Sequence, residues 1–179
     1  MRKKTTLLFS VLLMLLTSFK PTADSEFVYA KDLIEKFEFY IGKTILTEGK
    51  IDHFCGINNQ KMRLSVEEVG YIMIVPKDPD TLFDGSFNRK TVRVEGIVKE
   101  VRISKDQIDE MEKTFGIPCS IDNLPCINTS YTERKKEEGT LETTSQKGIE
   151  NLRETLEKTG KNYILVVTIE AKNVRVIEE

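Results

Sequence analysis

The sequence predicts a mainly β protein: five strands that close into a small barrel, preceded by an N-terminal helix and interrupted by a two-helix insertion before the last strand. Three observations support this fold class. Five segments are rich in β-branched residues and roughly alternate between polar and apolar positions, as half-buried strands do. Two of these segments carry a glycine in mid-strand, where a strand must bend to close a barrel. Two amphipathic helical patterns fall between the fourth and fifth strands.

The N-terminal residues predict export. Residues 1–4 form a short basic region, residues 7–16 form an apolar run, and small or polar residues follow. This order is typical of a bacterial-type secretory signal peptide, whereas a membrane-spanning helix needs about twenty apolar residues. We therefore expect residues 1–23 to be removed, leaving a single domain over residues 24–179 without a membrane span, in the periplasm or secreted.

Charge and motifs narrow the class of function. The chain has a formal net charge of −2, and residues 1–23 carry four basic residues and no acid, so the domain carries −6. A nucleic-acid binder usually presents a basic face, so this balance disfavours nucleic acid as a partner. The sequence contains no Ser-His-Asp order, phosphate-binding loop or zinc-protease motif. We expect a protein that is not an enzyme, has no cofactor, and binds a small ligand or another envelope protein.

The predicted domain begins with a helix over residues 26–39, in which Tyr29, Leu33 and Phe37 share one face. The five predicted strands cover residues 44–55, 61–66, 70–75, 91–101, and a last segment at 163–169 and 174–177 that is one long bent strand or a hairpin. Gly49 and Gly96 mark bends in the first and fourth strands. A connection over residues 77–90 is expected to include one helical turn.

The insertion covers residues 104–160. Ser104 and Gln107 have the spacing of a capping box, which opens a helix whose apolar face carries Ile108, Met111 and Phe115.

Thr143 and Gln146 repeat the capping spacing, and this second helix ends at Gly160. Residues 119–139 read as an irregular loop, in which the charge run at 133–138 is solvated.

Five strands with bent first and fourth members favour an OB-type barrel, which is a five-stranded, partly open Greek-key barrel. The alternative is a twisted antiparallel sheet with helices on one face. The runs YIGKTILTEGKI at 40–51 and VRVEGIV at 92–98 resemble segments of exported bacterial OB-fold domains of the tRNA-anti-like group. This resemblance spans residues 29–101 and implies the fold without a reaction. The long insertion departs from that group.

His53 and Cys55 are the most specific candidate for a chemical site, because residues two apart in a strand point to the same face. An imidazole beside a thiol is half of a soft metal site, or a nucleophile with its base. A metal site needs three or four ligands, and His53 is the only histidine. The pair therefore predicts a metal- or redox-responsive site only if Cys119 and Cys126 fold back to it; otherwise it is structural.

The remaining candidates are a disulfide and a ligand-binding face. Export places thiols in an oxidising compartment, so Cys119 and Cys126 are expected to close a small loop, with a bond from Cys55 to either of them as the alternative. Lys61, Arg63 and Tyr71 on the second and third strands are candidate ligand-binding residues, since such barrels bind on that face.

The sequence thus favours a non-enzymatic exported binding or scaffold module of the cell envelope. A metal- or redox-responsive protein that uses His53 and Cys55 is the alternative.

Overall fold

The computed structural model describes residues 25–56 and 59–178, so the predicted signal peptide at residues 1–23 lies outside the described residues. The strands in the described part are β1 Glu26–Phe27, β2 Thr44–Cys55, β3 Lys61–Val66, β4 Gly70–Pro76, β5 Thr91–Ser104 and β6 Tyr163–Glu178. The helices there are α1 Ala30–Glu35, α2 Phe37–Tyr40, α3 Lys105–Lys113, α4 Thr129–Glu137 and α5 Leu141–Thr159. Within these ranges, none of the helices has the length and apolar character needed to cross a bilayer.

The strands close into a barrel, as predicted. They follow the order β2-β3-β4-β6-β5, and β5 pairs again with β2, which closes the ring. Neighbouring strands are antiparallel except β4 and β6, which run parallel, while the short β1 lies parallel to β2 outside the ring. The closing pairs run from Thr44 with Ile97 to Lys50 with Thr91, so the alternative of an open sheet is wrong. The mainly β, OB-type barrel is confirmed.

The two mid-strand glycines stand where the barrel bends. Strand β2 pairs with β5 as far as Lys50 and with β3 from Lys50 onward, so it changes partner directly after Gly49. At Gly96 the β5–β6 register shifts, and a Cβ there would stand 2.4 Å from the carbonyl oxygen of Glu170. No side chain fits so close to backbone, which makes glycine a steric requirement at this crossing. Opposite this shift, β6 continues as one long strand rather than a hairpin.

The barrel interior is filled by apolar side chains from every strand of the ring. Those with no exposed surface are Ile45, Ile51, Met62, Leu64, Ile72, Ile74, Val92, Val94, Val98 and Ile169. Leu33 and Phe37 join this core from α1 and α2, and Phe83 joins it from the connection between β4 and β5. That connection contains the expected single turn, a 3₁₀ segment at Gly85–Phe87. The core therefore holds the barrel by hydrophobic burial.

The predicted N-terminal helix over residues 26–39 is wrong over its first four residues. Glu26 and Phe27 pair with Ile45 and Leu46 of β2, which keeps the chain extended, so the helix begins only at Ala30. Sheet pairing here overrides the local helical periodicity. A break at Lys36 then separates α1 from α2.

Tyr29 consequently lies outside the helix and is 70% exposed, whereas Leu33 and Phe37 are buried as expected.

The insertion has three helices rather than the predicted two. The extra helix, α4, falls on the charge run that was expected to be a loop, and none of its side chains is buried. Asn128 caps it, and Glu138 accepts ion pairs from Arg134 and Lys135 one turn earlier. Such pairs stabilise a helix without an apolar face, so hydrophobic periodicity gave no signal for it.

The capping box at Ser104 and Gln107 is confirmed, but α3 ends at Lys113 and leaves Phe115 42% exposed beyond it. Helix α5 begins at Leu141, ahead of the predicted Thr143 cap, and ends at Gly160 as expected.

The insertion packs on the outer face of the sheet through a second apolar core. Its fully or nearly fully buried members are Met73, Ile103, Ile108, Met111, Cys119, Ile121, Ile149, Leu152, Ile164 and Val166. Met73, Ile103, Ile164 and Val166 come from strands, and the others come from the insertion. The face on which OB-type barrels bind ligands is therefore partly covered by the chain's own insertion.

Candidate thiol site between barrel and insertion

The three cysteines come together where the insertion reaches the end of β2. Cys55 is the last residue of β2, and Cys119 and Cys126 lie in the segment between α3 and α4. With His53, they line one pocket of about 340 Å³. The sulfur atoms of Cys55 and Cys119 are 3.1 Å apart. The fold thus places two thiols in direct contact across the boundary between barrel and insertion.

Residues 117–126, which we term the cysteine hairpin, fold back on themselves. The amide of Cys119 donates to the carbonyl of Leu124, and the amide of Cys126 donates to the carbonyl of Ile117, each at 2.8 Å. Pro118 and Pro125 form the antiparallel bridge between these two bonds. The two prolines that flank the cysteines therefore set the hairpin.

Cys119 and Cys126 are thereby diagonal neighbours on one face of the hairpin. The Cα atoms of diagonal positions lie about 7–8 Å apart, whereas the Cα atoms of a disulfide usually lie about 4.4–6.8 Å apart. All three cysteines are thiols in the structure, and Cys119 contacts Cys55. The bridge from Cys119 to Cys126 stays a prediction, and the geometry favours its alternative, a bond from Cys55 to Cys119.

Of the two contacting thiols, Cys119 has the more strongly stabilised thiolate form. The pKa of its thiol is lowered to about 7, first by the hydrogen bond with Cys55 and further by the backbone N–H groups of Ile121 and Asp122. Burial opposes this shift, since Cys119 is only 3% exposed. The hydrogen bond to Cys119 and partial burial raise the pKa of Cys55. Of the two thiols, Cys119 is therefore the first to ionise as the pH rises, and Cys55 then donates the hydrogen bond to its thiolate.

His53 lies beside the thiols without a ligand set around it. Burial lowers the pKa of His53, the charge of Arg63 lowers it further, and Asp52 opposes both effects. The imidazole is therefore neutral at pH 7. Among the residues that the structure describes, no three His, Cys, Asp or Glu side chains are arranged to hold a metal ion. The predicted metal pair of His53 and Cys55 gains no third ligand there.

Lys61, one of the predicted ligand-binding residues, holds the insertion instead of pointing into open solvent. Its ammonium group forms an ion pair with Asp122, whose side chain is 2% exposed. Asp122 also accepts a hydrogen bond from the amide of Leu124 at 3.1 Å, which closes the turn of the cysteine hairpin. A buried carboxylate of this kind is expected to be paired.

Arg63 and Tyr71 also engage the insertion. The Arg63 guanidinium binds both oxygens of Asp52, at 2.8 and 3.1 Å, and donates to the carbonyl of Ser120 at 3.3 Å. It lies 5.6 Å from the centre of the Tyr71 ring, and Tyr71 hydrogen bonds with Asn123. Ligand binding by Lys61, Arg63 and Tyr71 stays a prediction, while their observed role is to dock the cysteine hairpin.

Sequence reasoning missed the residues of the insertion that complete this interface. Ser120, Asp122 and Asn123 follow Cys119 in a segment without regular periodicity, so nothing marked them as partners of the sheet. The pairing of Cys55 with Cys119 joins residues 64 positions apart, which no local pattern reveals.

A second pocket opens at the bend of β6. It has a volume of about 520 Å³, and its apolar lining includes Leu82, Phe87 and Val174. The charged residues of its wall are Lys77, Asp78, Asp84 and Lys172. Leu82 is 48% exposed.

No model of a known protein family matches this chain, and a search of curated proteins finds no match. The assignment to the OB-type architecture therefore rests on the strand order and closure of the barrel.

Proposed function

We propose that this protein is a redox-responsive, non-enzymatic scaffold of the cell envelope, in which a reversible disulfide between Cys55 and Cys119 fastens the insertion to the barrel. The observation that carries this proposal is the 3.1 Å contact between the two sulfur atoms, which belong to different parts of the fold. The competing metal site lacks a third ligand among the described residues.

The reaction needs a disulfide as oxidant. Cys55 and Cys119 each lose a proton and together give two electrons to a small-molecule or protein disulfide, which leaves as two thiols. The new bond closes a loop between positions 64 apart, for which the chain-entropy model gives about 4 kcal/mol. Reduction removes this contribution and leaves the insertion held by its apolar core and by Lys61 and Arg63.

Peptide mapping tests the proposal. The oxidised protein is unfolded without reductant, alkylated and digested. We expect the label on Cys126 alone, with the peptides of Cys55 and Cys119 joined. A Cys126→Ser variant is the control and should carry no label. Labels on all three cysteines, a bridge between Cys119 and Cys126, or stoichiometric zinc in the purified protein would contradict the proposal.

The proposal includes export, which the basic and apolar pattern of residues 1–16 supports. We further infer a relationship to the exported OB-fold domains of the tRNA-anti-like group, on the sequence runs at 40–51 and 92–98. An oxidising compartment is also where a disulfide between Cys55 and Cys119 persists. The intact mass of protein recovered from the periplasm should lack residues 1–23, and full-length mass there would contradict export.

A binding module is the second candidate, favoured by the pocket at the bend of β6. Its apolar wall suits an apolar ligand, and its two lysines are balanced by Asp78 and Asp84. The fluorescent dye anilinonaphthalene sulfonate should bind the folded protein, and Leu82→Glu should weaken this binding. Phe115→Glu is the matched control, because Phe115 is similarly exposed but lies outside the pocket. Equal dye binding by both variants would remove this candidate.

A further inference from the structure

We propose that Cys126 is the exchange thiol of this site: it attacks the sulfur of Cys55 in the bond between Cys55 and Cys119, so that the barrel's tether moves from one strand of the cysteine hairpin to the other. This inference rests on the proposed function, because it requires the bond between Cys55 and Cys119 to form first. The chemical class with which the site exchanges is a thiol or disulfide in solution.

The cysteine hairpin places the sulfur atoms of Cys119 and Cys126 in the same pocket as Cys55. Cys119 and Cys126 lie on the same face, on opposite strands, and both line the pocket that contains Cys55. Cys126 also helps to raise the pKa of Cys55, which places it within electrostatic reach. Cys126 is half-buried, whereas Cys119 is 3% exposed. Once Cys55 and Cys119 are joined, Cys126 is the remaining thiol beside the bond and the one open to solvent.

Attack on the Cys55 sulfur makes Cys119 the leaving group. In the exchange, the Cys126 thiolate forms a bond with the Cys55 sulfur, the bond from Cys55 to Cys119 breaks, and its electron pair leaves with Cys119. No oxidant or reductant is consumed, since one disulfide and one thiolate are present before and after. The N–H groups of Ile121 and Asp122 donate to the departing thiolate, whereas burial and the charge of the Asp122 carboxylate act against it.

The alternative attack, by Cys126 on Cys119, is disfavoured by the hairpin. It would join two diagonal positions, which the bridge of Pro118 and Pro125 holds farther apart than a disulfide allows. Exchange is therefore directed to Cys55, and Cys119 is the thiol that it releases.

The test uses the full mature chain with Cys119→Ser, treated with oxidised glutathione and mapped after acid quenching. We expect a disulfide between Cys55 and Cys126 in more than half of the molecules. The matched control, Cys55→Ser, leaves Cys119 and Cys126 unjoined to each other. In the wild type, the peptide pair of Cys55 with Cys126 should appear as a minor species.

The outcomes separate this inference from the proposed function. Cys55 and Cys126 unjoined in Cys119→Ser would overturn the inference, while a bond between Cys55 and Cys119 in the wild type would still uphold the proposed function. Absence of that bond from the oxidised wild type would overturn both. Cys119→Ala and the wild-type peptide map give the same decision if the serine variant fails to fold.

Discussion

The barrel and the insertion are held by different kinds of contact. Inside the barrel, side chains with no exposed surface are almost entirely apolar, and the ring of strands leaves no open edge among β2 to β6. Between insertion and sheet, an apolar core is combined with the ion pair of Lys61 and Asp122 and the thiol contact of Cys55 and Cys119. Redox state and pH should therefore act on the insertion and leave the barrel intact.

The largest expected effect is in the barrel. Val94 has no exposed surface and lies in β5, which pairs with strands on both sides. Val94→Asp buries an unpaired carboxylate, so we expect a loss of about 4 kcal/mol or more in the free energy of unfolding. Lys99→Asp, an exposed position on the same strand, is the control and should unfold within a few degrees of the parent. A thermal melt of Val94→Asp close to the parent's would show that the barrel core is misplaced.

A smaller loss is expected from the ion pair at the insertion. Asp122→Asn keeps the acceptor for Leu124 but leaves the largely buried ammonium group of Lys61 unpaired, at a cost of about 3 kcal/mol. Adding Lys61→Met should recover part of this loss, since no charge is then left unpaired. Asp32→Asn removes an exposed pair with Lys36 and should leave the urea midpoint unchanged. Equal effects of Asp122→Asn and Asp32→Asn would contradict the interface.

The smallest expected effect is a pH dependence of the reduced insertion. The pKa of Cys119 is lowered to about 7 from an ordinary value of 9.0, so its contribution is present above pH 9 and is lost as the pH falls through 7. The raised pKa of Cys55 acts oppositely above pH 9, where the unfolded thiol ionises first. Protease resistance of residues 105–159 should therefore rise from pH 7 to pH 9 and then fall.

Two controls define this effect. Cys119→Ser should abolish the rise between pH 7 and pH 9, and the oxidised protein should show none of it. A rise that persists in Cys119→Ser would assign the dependence to other groups.

Sequence patterns predicted the barrel because its strands obey a local rule. Alternation gave the strand positions, and Gly49 and Gly96 gave the bends, since glycine in mid-strand has a steric cause that can be read locally. The same approach failed at Tyr29, where pairing of β1 with β2 overrides helical periodicity, and at α4, whose stability comes from charge pairs. Local rules work where local geometry decides the fold.

The site was only half predictable for a related reason. His53, Cys55, Lys61, Arg63 and Tyr71 were found because they sit on strands with a known direction. Their partners in the cysteine hairpin lie in an irregular segment, where contacts depend on how the whole insertion docks. Because the insertion docks on the sheet, residues that were predicted to bind a ligand make contacts within the protein instead. The spacing of these residues in the sequence does not predict those contacts.

Hydrogen exchange of the oxidised and reduced protein, measured side by side, tests the central claim most directly. If a bond between Cys55 and Cys119 fastens the insertion, reduction should speed exchange in residues 105–159 by roughly tenfold or more, while exchange in β2 and β5 stays the same. Cys126→Ser should behave as the wild type does in this comparison. Equal exchange of residues 105–159 in both redox states, or parallel opening of the barrel strands, would contradict the account.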